Sequence, residues 1–100
     1  MFTVLEQRRN QRFDLRLPFE IVRAGANQKS IGETRNVSST GVLFKSETTV
    51  EVGQPIEYLI TFPKPPGSRA VVRLKCVGKI VRGEEETFAA TLERYEFVRA

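Results

Sequence analysis

Apolar and polar residues alternate from position 13 onward: Phe13, Leu15, Leu17, Phe19 and Ile21 take the odd positions, with Asp14, Arg16, Pro18 and Glu20 between them. A period of two belongs to an extended chain with one face buried, so the pattern predicts a half-buried strand. Pro18 has no N–H for a sheet ladder, which predicts an extended approach and then a strand over 19–23 at an edge or bulge. Gly25-Ala26-Asn27 reads as a turn. Residues 28–36 predict a polar strand, and after a short Ser/Thr-rich connection 41–45 predicts another, ended by a turn over 50–53. Ile56, Tyr58, Ile60 and Phe62 form the next apolar face. It stops at Pro63-Lys64-Pro65-Pro66-Gly67, which no strand or helix interior tolerates. Residues 70–82 place Val72, Leu74, Cys76 and Ile80 on one face and Arg73, Lys75 and Lys79 on the other, making Cys76 a small core hydrophobe. Gly83 with Glu84, Glu85 and Glu86 predicts a turn, Phe88, Ala90 and Leu92 alternate again, and 95–98 fits a strand or a short helix.

Six strand-like runs separated by turn signals, with no amphipathic helix, define an all-β class: an antiparallel sandwich or a closed barrel. Closure would hide the edges of such short strands. The 100 residues hold one core. Residues 1–12 form a polar N-terminal arm, expected to be mobile before any ligand binds, and residues 13–100 form a single domain.

Sixteen Lys and Arg against twelve Asp and Glu give a net charge of +4, which favours anionic partners such as phosphates. The absence of His excludes imidazole bases, Ser-His or Cys-His nucleophile pairs and imidazole metal sites. One cysteine excludes an internal disulfide and fits a reducing, cytoplasmic compartment. No apolar window reaches the ~18 residues of a membrane span, and no secretory signal pattern opens the chain. Glu84, Glu85 and Glu86 read as a solvated turn rather than an acid-base pair, so an enzyme is not expected.

Two clusters could carry binding chemistry. The first is Gln7-Arg8-Arg9-Asn10-Gln11-Arg12. A spacing of four sets Arg8 and Arg12 on one side, ~6 Å apart along a helix or ~13 Å along a strand, and either span suits a ligand with two phosphates. Guanidinium forks match phosphate oxygens and the O6/N7 edge of guanine. The same residues also suit a solvated basic arm. The second cluster is Asn36-Val37-Ser38-Ser39-Thr40-Gly41. Asn36 and Ser38 share a face and can hold a base edge or a phosphate oxygen, while Gly41 permits close approach or positive φ. These are also ordinary turn formers, and Asn36-Val37-Ser38 satisfies a glycosylation sequon relevant only to a secreted protein.

Taken in order, the two clusters resemble the motifs of the PilZ domain family. Arg8-x-x-x-Arg12 matches its arginine motif, and Asn36-x-Ser38-x-x-Gly41 matches its second motif, which begins with Asp or Asn. Phe13-x-Leu15-x-Leu17-Pro18 resembles the lead into its first barrel strand, and Gly78-Lys79-Ile80-Val81-Arg82 its late Gly-x-Val-Val strand. The resemblance runs over residues 7–97. It implies a six-stranded antiparallel β-barrel that binds the bacterial second messenger cyclic di-GMP, has no catalytic activity and needs no other cofactor. Arg8 and Arg12 would grip guanine edges and phosphates, with Arg9 as an auxiliary contact, and Asn36, Ser38 and Gly41 would receive a guanine on the barrel surface. The arm would fold over the ligand and relay binding to an unidentified downstream protein. Two departures stand out. Arg82 occupies a place often aromatic in the family, where its planar head could stack on a base, and Ala90 stands where relatives often carry glycine.

The competing reading is a small nucleic-acid-binding barrel or a protein-interaction module. Against nucleic acid, Phe13, Phe19, Tyr58, Phe62 and Phe88 mostly fall on predicted core faces, leaving few rings for base stacking.

Overall fold

The computed structural model describes residues 13–24, 29–64, 66–67, 69 and 71–99. They form strands β1 (Pro18–Ala24), β2 (Ser30–Val37), β3 (Gly41–Ser46), β4 (Pro55–Phe62), β5 (Val72–Glu84), β6 (Thr87–Thr91) and β7 (Arg94–Arg99). No described residue is helical, so no helix among them could cross a membrane.

All pairings are antiparallel in the order β4-β1-β2-β3-β6-β5, and β4 pairs again with β5, which closes a six-stranded barrel. The 13-residue β5 makes the seventh strand possible. One edge of β5 pairs with β4 from Val72 to Lys79. Its other edge takes β6 from Ile80 to Glu84 and β7 from Val72 to Val77. β7 therefore continues β6 along β5 after a two-residue kink at Leu92 and Glu93. The chain end, which as a sequence fits strand or helix, is a strand.

Phe19 and Ile21 of β1, with Ala24 after the bulge, the even positions 56–60 of β4 and the even positions 74–80 of β5 fill the interior. Phe19 stacks on Phe44 at 4.1 Å and on Tyr58 at 5.2 Å, and Phe44 meets Phe88 at 5.8 Å, giving a central aromatic column. Ile21, Ile56, Ile60, Leu74, Cys76 and Ile80 pack around it. Burial pushes the Cys76 thiol up to about 12 and raises the Tyr58 phenol above its ordinary value, so both stay protonated at neutral pH. Cys76 is a core hydrophobe and not a reactive thiolate.

Several local expectations need correction. Pro18 is the first residue of β1, where a missing N–H is tolerated, and β1 is paired on both sides rather than lying at an edge. β1 does carry a bulge, but between Ile21 and Arg23 and not at the proline, which pairs in regular register with Glu33. Phe13 and Leu15 are 53% and 39% exposed, although their alternation marks them as core. They precede the stretch where β1 pairs with β4, which begins at the Phe19–Ile60 pair. Gly83 lies within β5, and the turn falls on Glu85 and Glu86, with Glu85 itself at φ 54. The turn expected at 25–27 lies outside the described residues.

Candidate functional site

Asn36 and Ser38 sit where β2 runs into the turn that leads to β3. By strict alternation Asn36 would share the inward face of the buried Thr34 and point into the barrel. A register shift between Thr34 and Asn36 prevents this: Thr34 pairs with Phe44, Asn36 with Leu43 and Val37 with Val42. The extra residue, Arg35, reverses the facing of everything after it. Val37 packs against the core, and Asn36 and Ser38 are carried to the outer wall.

The turn is tightly bonded. The Ser38 N–H donates to the Gly41 carbonyl at 2.9 Å, and the Ser38 hydroxyl lies 3.3 Å from the Thr40 N–H, which donates to it, and 3.3 Å from the Gly41 carbonyl, to which it donates. The Thr40 hydroxyl also lies 3.3 Å from the Ser38 hydroxyl, so the turn itself uses the donor and both lone pairs of Ser38, which acts here as a turn former. Gly41 is required for close approach and not for positive φ: a Cβ there would lie 2.7 Å from the Ala90 carbonyl oxygen of β6. The Leu92 N–H donates to the Thr40 carbonyl at 2.9 Å, tying the turn to the β6–β7 kink.

Cross-strand pairing extends this surface into a ledge. Asn36 pairs with Leu43, Leu43 with Ala89, and Ala89 with Arg82. Directly paired residues share a face, and the neighbours of Leu43 and Ala89 (Val42, Phe44, Phe88, Ala90) are buried, so this row faces outward. An amide, two half-buried apolar side chains and an exposed guanidinium lie across four strands, about 14 Å at the usual strand spacing. Leu43 and Ala89 escaped sequence reasoning. Alternation shows that they face out, but only the register sets them beside Asn36. A shallow depression lined by Arg35, Lys45, Glu85, Glu86 and Thr87 adjoins this wall, its charges partly matched by the Lys45–Glu86 ion pair at 3.7 Å.

Arg8, Arg9 and Arg12 lie outside the described residues. The point at which their segment joins the barrel is described. Phe13 and Val37 exchange two main-chain bonds, at 2.9 Å from the Phe13 N–H and 3.0 Å from the Val37 N–H. Farther along, the fully buried Thr34 straps the same segment down: its hydroxyl accepts from the Leu17 N–H at 2.9 Å and donates to the Leu15 carbonyl. The residue following Arg12 is therefore held against the strand between Asn36 and Ser38.

The structure thus combines a closed β-barrel, a polar and apolar row on its outer wall and, beside that row, the point where Phe13 is fixed to β2. The sequence model of the PilZ domain matches residues 6–97, and the chain belongs to this family of cyclic di-GMP-binding domains, which are receptor modules. The match spans both motifs. Comparison with curated proteins and with solved structures returns no match.

Proposed function

We propose that this chain is a cytoplasmic receptor that binds cyclic di-GMP between its N-terminal arginines and the Asn36–Arg82 ledge. The observation that carries this reading is the Phe13–Val37 pairing. Covalent geometry keeps the Arg12 Cα within about 3.8 Å of that of Phe13 and the Arg8 Cα within about 18 Å, so both guanidiniums can reach a ligand on the ledge. Arg8 and Arg12 supply planar forks for phosphates and guanine edges, and Arg9 adds positive charge. Asn36 offers an amide to a base edge, and Ser38 holds the turn that presents it. Gly41 fixes the turn, while Leu43 and Ala89 form an apolar floor for a purine face. Arg82 closes the far end, where its guanidinium stacks on a base. No cofactor beyond the ligand takes part.

Closure of the arm onto the ledge is the signal: it replaces a solvated cationic segment by a surface made of arm, ligand and barrel, which a downstream protein reads. Calorimetric titration with cyclic di-GMP tests the reading. The wild-type chain binds, and Arg8→Ala or Arg12→Ala weakens binding by about 5- to 150-fold, the ~1 to 3 kcal/mol of a guanine-reading fork, without changing the circular dichroism. Absence of heat with the wild type, or equal affinity in all three proteins, contradicts it. Oligonucleotide binding that is steeply salt-dependent, with no preference for the cyclic dinucleotide, would instead support the nucleic-acid reading.

A further inference from the structure

Among the described residues β7 is paired along one edge only. β5 covers that edge without a register break from Val72–Arg99 to Val77–Arg94, and no described strand pairs with the other edge. An open edge is a row of main-chain donors and acceptors able to take another strand, which proteins usually blunt with Pro, charged side chains or a bulge. Arg94-Tyr95-Glu96-Phe97-Val98-Arg99 has no Pro and no bulge, and its three charges, Arg94, Glu96 and Arg99, are of both signs and interspersed with apolar residues.

The side chains point the same way. Tyr95 pairs with Cys76 and Phe97 with Leu74, both buried, so the two rings lie on the sheet face that elsewhere lines the barrel interior. They are nevertheless 61% and 67% exposed, because β7 runs past the closed wall. Their centroids are 6.3 Å apart with the planes at 80°, so they form one apolar patch.

We infer that β7 is a homodimer interface, on which β7 of a second copy of this chain adds antiparallel. The strand is complementary to itself. A two-fold axis through Phe97, normal to the sheet, sets Phe97 on Phe97 and Tyr95 on Arg99 across residues 95–99, giving ring-on-ring and guanidinium-on-ring pairs. Centring the axis on Glu96 puts like charges directly opposite, and centring it on Tyr95 leaves only residues 94–96 paired within β7. The four rings bring of the order of 500 Å² of exposed surface, about half of the ~1,000 Å² a specific interface needs, and the paired main chain, Val98 and Arg99 add to it. The interface is small, so the dimer is reversible and concentration-dependent.

Sedimentation velocity on the full chain, without ligand, from low micromolar to several hundred micromolar protein, tests this. The wild type shifts from monomer to dimer and Phe97→Asp stays monomeric with an unchanged circular dichroism spectrum. Under oxidation Phe97→Cys forms an intermolecular disulfide, since directly opposed Cα atoms at about 5 Å allow one, whereas Tyr95→Cys does not, its copies lying about 14 Å apart along the strands. Cys76 is buried and does not interfere. A wild type that remains monomeric throughout, a Phe97→Asp protein that still dimerises, or cross-linking at position 95 and not at 97 overturns the inference.

Discussion

Thr34 shows how one side chain joins the fold to the site. Its hydroxyl replaces a ladder bond, accepting from Leu17 and donating to Leu15, and so fixes the segment that follows the arginines against β2. Thr34→Val keeps the shape and leaves the Leu17 N–H without that partner, which costs about 1 to 3 kcal/mol. A urea melt checks this: the midpoint falls without a change in slope, and an unchanged midpoint would remove Thr34 from the strap. The strap is not legible in the sequence, where Thr34 is one polar residue in a polar strand. Asn36, Ser38 and Gly41 are legible because their spacing is a motif, but the reason for Gly41 is not. The carbonyl of Ala90 that excludes a Cβ belongs to a strand far along the chain.

At the level of elements, period-two alternation is enough to find the strands of the barrel, β1 to β6, because burial on one face is written into the residues themselves. What connects the strands is not. The bulge at Arg35 that turns Asn36 outward is set by pairing of β2 with β3, and the ledge from Asn36 to Arg82 exists only once four strands are in register. β7 is ambiguous in sequence because Tyr95-Glu96-Phe97-Val98 carries no turn signal before it and exposes both of its faces. The β3–β6 contact supplies a prediction at this scale. Gly41→Ala forces β3 away from β6, lowering the thermal midpoint by the equivalent of about 1 to 3 kcal/mol and weakening ligand binding with it. Lost binding at an unchanged melting temperature would show that Gly41 serves the ligand alone.

For the whole molecule, the barrel brings three features into one region. The arm joins at Phe13–Val37, the ledge begins at Asn36, and the motif turn is bonded through the Thr40 carbonyl to the kink from which β7 departs. A ligand that tightens the turn therefore acts on the chain between the site and the open strand. Residue pattern alone does not separate sandwich from barrel, because closure depends on the β4–β5 pairing, a contact between the chain's middle and its late strand that alternation does not encode. The most direct test of the account is an amide NMR titration of the full chain with cyclic di-GMP. Saturable shifts at residues 8–13 and 36–41 together, with smaller ones at Ala89 and Arg82, are the predicted result. Shifts that miss either the arginine segment or the Asn36 turn, or no shifts at all, would contradict it.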